Sequence, residues 1–185
     1  METTLASAQR YSRGAIVLHW LIAMLIMLNF AAAWIAEDMP KAEKMQMMGN
    51  HKAIGISILV LTVVRIVWRL MHKAPPMVDT LKAWEAALAK VTHGVLYLLM
   101  LAIPFSGWAM SSAYSKGEPV PFFGLFGVPA LPVGTDKPTI GMFHEIHEIT
   151  ANLMILLFVI HVAAALKHHL IDKDGTMRRM VPWSK

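Results

Sequence analysis

Four long apolar stretches constrain this 185-residue chain more than any other feature. Each is long enough to cross a hydrocarbon layer about 30 Å thick as a helix that rises about 1.5 Å per residue. Because lipid cannot hydrogen-bond a backbone, such a stretch must be helical. The sequence therefore predicts an all-α membrane protein, a single domain over residues 1–185 built as a four-transmembrane-helix bundle. Its helices are expected near Ala15–Ala36, Ala53–Met71, Val91–Ser112 and Ile146–Leu166.

Composition agrees with a membrane protein and narrows its chemistry. Hydrophobic residues make up 56% of the chain and charged residues only 16%, which is below the roughly 25% of soluble domains. The chain has no cysteine, which excludes disulfides, iron–sulfur ligation and covalent attachment of a cofactor through thioethers. Any prosthetic group must be held by coordination and packing.

The basic residues are distributed unequally between the two sides of the predicted bundle. Twelve of the 17 Lys and Arg residues fall on the side of the two termini and the second connection. The positive-inside rule then predicts that both termini are cytoplasmic. The net charge of +5 is explained by this orientation in the membrane, so a nucleic-acid partner is not needed to explain it. The five basic residues of the opposite side are Lys41, Lys44, Lys52, Lys116 and Lys137.

Two connections carry features of their own. Thr80–Lys90 is predicted to be a short amphipathic helical lead-in to the third span. The periplasmic loop Ala113–Gly141 contains five Gly and five Pro, so we expect it to be irregular. Its middle is too apolar for a free loop, which predicts a lid that lies on the bundle or in the membrane interface.

Histidines provide the strongest functional signal. His147 and His161 are 14 residues apart in the fourth span, which is about 1400° at about 100° per residue and within about 40° of whole turns. Both side chains are therefore expected on one face of the helix. They are separated by about 21 Å along the axis, so two metals bound there would lie near opposite faces of one membrane.

Depth along the helices predicts a partner for each of these histidines. His19 is the fifth residue of the first span, and His161 lies five residues before the end of the fourth, so both are about 7 Å deep from the same side. His51 lies just outside the second span at the other end, where His147 is the second residue of the fourth. Depth alone pairs His19 with His161, and His51 with His147.

Two imidazoles on facing helices would fill both axial positions of a haem iron, a coordination suited to electron transfer. Zinc is the competing metal, but its tetrahedral sites usually use closely spaced ligands. A single histidine near a helix end is more often an interfacial side chain than a ligand. Four histidines that form two pairs at matched depths favour a large planar cofactor over zinc. The sequence therefore predicts two b-type haems. Their iron ligands are expected to be His19, His51, His147 and His161.

Other polar residues have weaker assignments. Arg65 lies 14 residues after His51, on the same face and at the level of the other haem, where a haem propionate would balance its charge. The alternative is an Arg that reaches the headgroups, as is expected of Arg69. His93 is placed near the cytoplasmic haem level, with a propionate, proton-path or packing role left open. His168 and His169 are expected to be exposed.

The residues that carry these predictions also carry a resemblance. The segments Tyr11–Trp20, His51–Arg65 and His147–His169 resemble those of bacterial cytochrome b561, and the likeness spans nearly the whole chain. It implies a four-helix fold with two b haems in the bacterial inner membrane, with the ligands on the four histidines named above. The cytochrome b subunits of membrane nickel–iron hydrogenases are a more distant relation.

The resemblance also implies a function. Members of this family pass electrons between a periplasmic donor and the membrane quinone pool, and one family activity is the oxidation of superoxide with reduction of ubiquinone. An oxidoreductase of the superoxide:ubiquinone type is therefore the expected enzyme class. Two alternatives stay open: a haem-bearing anchor and electron wire for a partner dehydrogenase or hydrogenase, and a non-redox transporter of metal or protons. An oligomer or a redox protein partner is compatible with each.

Overall fold

The computed structural model describes residues 10–78 and 80–181, and four long helices dominate it. All four are long and apolar enough to span a membrane, which confirms the predicted helical bundle. A short hairpin of two strands, β1 (Val120–Phe122) and β2 (Phe126–Val128), joins the last two helices. The helices are α1 (Arg13–Ala36), α2 (Lys41–Met71), α3 (Ala83–Tyr114) and α4 (Lys137–Lys167).

The helices are longer than the apolar stretches that predict them. α2 begins at Lys41, so the polar segment before Ala53 is helical and His51 lies inside the helix rather than just outside it. α3 begins at Ala83, which makes the expected lead-in and the third span one continuous helix. α4 begins at Lys137. Hydropathy marks only the part of a helix that meets hydrocarbon, which is why the bounds were predicted too short.

Side-chain caps define two of these helix starts. The Ser12 hydroxyl accepts a hydrogen bond from the Ala15 backbone N–H at 3.4 Å at the start of α1. Asp136 begins α4 by accepting hydrogen bonds from the backbone N–H and the hydroxyl of Thr139, at 3.0 and 2.8 Å. Such caps satisfy backbone donors that have no partner within the helix.

The connection predicted to be irregular contains the hairpin. β1 and β2 are antiparallel, with Val120 opposite Val128 and Phe122 opposite Phe126. The segment lies on the bundle, as predicted: Val120 is buried, and the indole N–H of Trp108 donates to the Pro129 carbonyl at 3.1 Å. The proline and glycine content predicts turns in this segment, but it does not predict that two short strands pair.

The helices pack in chain order, α1 against α2, α2 against α3 and α3 against α4. We call the end where α1 begins and α4 ends the terminal end, and the opposite end, which carries β1 and β2, the hairpin end. Many outward apolar side chains are exposed, as expected of a surface that meets lipid. A buried apolar cluster fills the middle of the bundle and consists of Ile22, Ile58, Leu99, Met100 and Met154.

The C-terminal segment folds back over the terminal end. The indole N–H of Trp20 donates to the Met180 carbonyl at 2.7 Å. Arg179 is buried and donates to the Pro76 carbonyl at 2.6 Å. This segment therefore ties α1 to the connection between α2 and α3. Lys185, which contributes to the predicted topology, lies outside the described residues.

Candidate haem sites

The hairpin-end site is formed by His51 of α2 and His147 of α4. Their ring centroids are 6.2 Å apart and their planes are inclined at 75°. The structure thus brings together two residues that are 96 positions apart in the sequence. Their matched depth predicts this pairing, and the structure places the two rings edge to face.

Backbone carbonyls hold both rings of this site. Nδ1 of His147 is 2.9 Å from the Ile103 carbonyl, and Nδ1 of His51 is 3.2 Å from the Asn29 carbonyl. A carbonyl can only accept, so Nδ1 carries the proton in each imidazole. Nε2 is then left with its lone pair, the state in which histidine binds a metal. Ser106 adds to the support, because its hydroxyl is 3.3 Å from Nδ1 of His147.

A glycine gives His147 its space. A Cβ built on Gly107 of α3 would lie 2.9 Å from Cε1 of His147, closer than side-chain carbons approach without a shift. Gly107 therefore lets α3 pass close to the imidazole. This role of Gly107 and the contacts of the Asn29 and Ile103 carbonyls could not be predicted from the sequence, because a contact with the backbone requires no particular residue type.

A cleft of about 880 Å³ surrounds the hairpin-end site. All four helices line it, and its walls are mainly apolar. Its volume lies within the roughly 300–1,000 Å³ of cofactor and ligand sites. Charged and polar side chains at its rim include Glu37, Lys44, Lys52, His144 and Glu148.

The terminal-end site is formed by His19 of α1 and His161 of α4. Their centroids are also 6.2 Å apart, with planes inclined at 76°. Within residues 10–78 and 80–181, neither ring has a hydrogen bond to a carbonyl or a side chain. The rings contact other aromatic groups instead: Trp20 lies 5.6 Å from His19 and His93 lies 5.5 Å from His161, measured between centroids.

Both pairs fit the geometry of a shared metal. A bond from an imidazole nitrogen to a metal such as zinc is about 2.0–2.1 Å, so two rings on opposite sides of one ion have centroids about 6 Å apart. The observed 6.2 Å satisfies this at both ends. The His93–His161 separation of 5.5 Å departs further from this value than the His19–His161 separation of 6.2 Å, which favours His19 for that position.

Arg65 lies at the level of the terminal-end site. Its guanidinium carbon is 5.4 Å from the centre of the Tyr97 ring, and it is near enough to His19 and His161 to interact with them electrostatically. Among the described residues no carboxylate forms an ion pair with Arg65. An anionic group bound at this level would therefore find a cation without a charged partner.

The remaining histidines differ in their surroundings. His72 is exposed and stacks on Trp68 with centroids 4.1 Å apart, and His144 forms an exposed pair with Glu148. The expectation that His168 is exposed is wrong. Its side chain is only 15% exposed, because the chain turns after α4 and brings Asp172 and Asp174 against the ring. His169 is exposed, as predicted.

Four membrane-spanning helices with two pairs of facing imidazoles are the arrangement expected of a membrane cytochrome of the b type. The chain matches the family model described as prokaryotic cytochrome b561 over residues 10–183, and it belongs to that family. It is therefore a multi-pass protein of the bacterial inner membrane that takes part in electron transfer with b-type haem.

Curated relatives cover almost the whole chain. A "Probable superoxide oxidase CybB" of Yersinia pestis is 32% identical over 174 residues, which are 94% of this chain and 97% of the relative. "Cytochrome b561 homolog 1" of Escherichia coli K12 is 32% identical over 178 residues, covering 95% and 99% of the two chains. "Cytochrome b561 homolog 2" of the same strain is 33% identical over 182 residues, covering 94% and 92%.

Proposed function

We propose that this chain holds two b haems, one between His51 and His147 and one between His19 and His161, and moves electrons between a periplasmic donor and the quinone pool. The observation that carries the proposal is the repeated ring separation of 6.2 Å at the two ends of the bundle. The four residues come from α1, α2 and α4. A packing role alone does not require the same spacing twice.

Bound by these histidines, b haem would supply one-electron oxidation and reduction. The protein's part is to fix the ligands and their surroundings. The carbonyls of Ile103 and Asn29 orient His147 and His51 and increase the basicity of the coordinating nitrogens. The apolar cluster around Ile58 and Leu99 keeps water out of the region between the two sites.

The orientation of the bundle follows from its charges. Basic residues are concentrated at the terminal end, so we place that end in the cytoplasm and the hairpin end in the periplasm. The His51–His147 site then lies toward the periplasm, and the cleft around it is the side from which a donor approaches. Arg65 is proposed as the partner of a haem propionate at the other site.

Superoxide is the proposed donor and ubiquinone the proposed acceptor. The name of the Yersinia pestis relative supports superoxide, and Lys44 and Lys52 at the cleft rim would attract a small anion. Glu37 and Glu148 share that rim and weaken the attraction. Each superoxide would lose one electron to become O₂. Two such electrons and two protons would reduce one ubiquinone to ubiquinol.

The test uses the purified protein in liposomes that contain ubiquinone. Superoxide generated outside should reduce the haem, as followed by its visible absorbance, and ubiquinol should accumulate at one per two superoxide ions. Added superoxide dismutase should abolish both signals. If the purified protein lacks a Soret band, the proposal fails as a whole. If quinol reduces the haem and superoxide does not, the donor is wrong.

A further inference from the structure

A compact cluster of metal-ligating side chains lies at the terminal end, away from both haem sites. It consists of His168, Asp172 and Asp174, whose ligand atoms all lie within 4.8 Å of one another. His168 is seven residues beyond His161, so the cluster is about 10 Å further along the chain axis at 1.5 Å per residue. None of the three residues lines the cleft around His51 and His147, and none takes part in the contact between Met180 and Trp20.

Unusual backbone brings these residues together. α4 ends in a single π-helical turn over His168–Asp172, and Lys173 then adopts a left-handed conformation with φ of 52°. Left-handed backbone is uncommon for residues other than glycine, and π turns are frequent at functional sites. Together they reverse the chain and place Asp174 over the His168 ring. An ordinary continuation of α4 would carry Asp174 away from it.

The ligand atoms converge on one point. Nδ1 of His168 is 2.6 Å from Oδ2 of Asp174 and 3.0 Å from Oδ2 of Asp172. Asp174 is held in place from behind, because its Oδ1 accepts the backbone N–H of Thr176 at 2.9 Å. Its side chain is 4% exposed, so it is buried next to an imidazole.

The charges around the cluster leave room for a cation. Lys167 lies 2.6 Å from Oδ2 of Asp172 and 3.4 Å from Oε1 of Glu85. With a neutral imidazole, the carboxylates of Asp172, Asp174 and Glu85 face the ammonium groups of Lys167 and, at Glu85, of Lys82, which leaves one negative charge unbalanced. Because Lys167 has Glu85 as a second partner, Asp172 can turn to another cation without leaving the ammonium unpaired.

We propose that His168, Asp172 and Asp174 form a binding site for one divalent transition-metal ion. One imidazole nitrogen and two carboxylate oxygens suit zinc and related first-row ions, with water completing the coordination. Magnesium and calcium prefer oxygen ligands alone, so they should compete poorly. The bound ion would take the position of the proton between His168 and the carboxylates, and it would fasten the C-terminal segment to the end of α4.

The experiment measures zinc binding by isothermal titration calorimetry on the full-length, haem-loaded protein after treatment with a chelator. We expect one equivalent of zinc to bind without change in the haem spectrum, even in excess magnesium. His168→Gln and Asp174→Asn should each weaken binding by about 10-fold or more, the cost of losing a ligand or its support. Lys167→Gln should strengthen it by about two- to fivefold, since a competing cation has been removed.

Matched controls separate this site from other surface histidines. His169→Gln alters the adjacent exposed imidazole, and His144→Gln alters the exposed pair with Glu148. Both should keep the wild-type affinity. The haem spectrum of each variant reports whether it is folded. The proposal is overturned if wild-type protein takes up no stoichiometric zinc, or if zinc binding is unchanged by Asp174→Asn and lowered by Lys167→Gln.

Discussion

The hairpin-end and terminal-end histidine pairs have the same spacing but different support. Backbone carbonyls of Asn29 and Ile103 hold the rings of His51 and His147, and Gly107 gives His147 its space. His19 and His161 have aromatic neighbours and the charge of Arg65 instead. Equal ring separation therefore does not require equal construction.

The difference indicates how each site responds to change. A hydrogen bond to a main-chain carbonyl fixes both the tautomer and the orientation of an imidazole before a haem binds. The hairpin-end site should thus be sensitive to small shifts of α3. A site held by packing and charge should be sensitive to the loss of a side chain.

The largest effect is expected from removing an axial ligand at the terminal end. His19→Ala should open one position of the iron and convert the haem there from low spin to high spin. His93→Ala should leave both haems low spin, because the 5.5 Å separation of His93 from His161 fits an opposite ligand less well than the 6.2 Å separation of His19. Electron paramagnetic resonance of the oxidised proteins distinguishes these states. If His93→Ala produces the high-spin signal and His19→Ala does not, α3 supplies the ligand.

The next effect concerns the hairpin end alone. Gly107→Ala places a methyl group 2.9 Å from the present position of His147 Cε1, so the imidazole or α3 must shift, which disturbs the contact of Nδ1 with the Ile103 carbonyl. We expect a changed spectrum of this haem and a destabilisation of about 1–3 kcal/mol, as found for overpacking. Thermal unfolding and redox titration measure the two effects.

Gly94→Ala is the matched control in the same helix. Nothing lies within 4 Å of a Cβ at that position, and alanine is the better helix former. This variant should keep both haem spectra and be at least as stable as the wild type. Equal damage from both substitutions would show that α3 tolerates no added methyl group and that His147 is not the cause.

A smaller effect is predicted for the charge at the terminal end. Arg65→Gln removes a cation near His19 and His161, so the reduced, more negative state of that site loses stabilisation. The midpoint potential of one haem should fall by roughly 40 mV, which corresponds to about 1 kcal/mol for one electron. Arg69→Gln, one turn further on, is the control and should change both potentials less. A fall at the hairpin-end haem alone would contradict the placement of Arg65.

The smallest effect involves the start of α4. Hydrogen bonds from the backbone N–H and hydroxyl of Thr139 hold the pKa of Asp136 below its usual value. A lowered pKa means that the ionised cap contributes stability above the pKa of the unfolded chain and loses it as the pH falls through the folded pKa. Asp136→Asn should therefore lower Tm slightly at neutral pH and not at strongly acidic pH. An equal loss at both would show that charge is not involved.

Much of this architecture could be predicted because two of its determinants, the length of the apolar stretches and the spacing of the histidines, can be read directly from the sequence. Apolar length fixed the number of helices, and the 14-residue spacing of His147 and His161 placed them on one face. The pairing of His51 with His147 followed from depth even though the start of α2 was misplaced. Depth is counted from the membrane, so the extra helical residues before Ala53 did not alter it.

The support of the sites could not be predicted in the same way. The carbonyls of Asn29 and Ile103 belong to the backbone, and any residue at those positions offers one. The burial of His168 depends on a π turn and on a left-handed Lys173, and neither has a sequence signature comparable to glycine or proline. Contacts that depend on local backbone geometry appear only once the chain is folded.

The pairing of the four histidines is tested most directly by counting haem in double variants. Haem is extracted with acid acetone and divided by the amount of folded protein. We expect two haems in the wild type and one in either matched double variant, His51→Ala with His147→Ala or His19→Ala with His161→Ala. The crossed variant, His19→Ala with His147→Ala, should have lost a ligand from both sites and retain no low-spin haem. One normal low-spin haem in the crossed variant, with none in a matched one, would contradict the pairing.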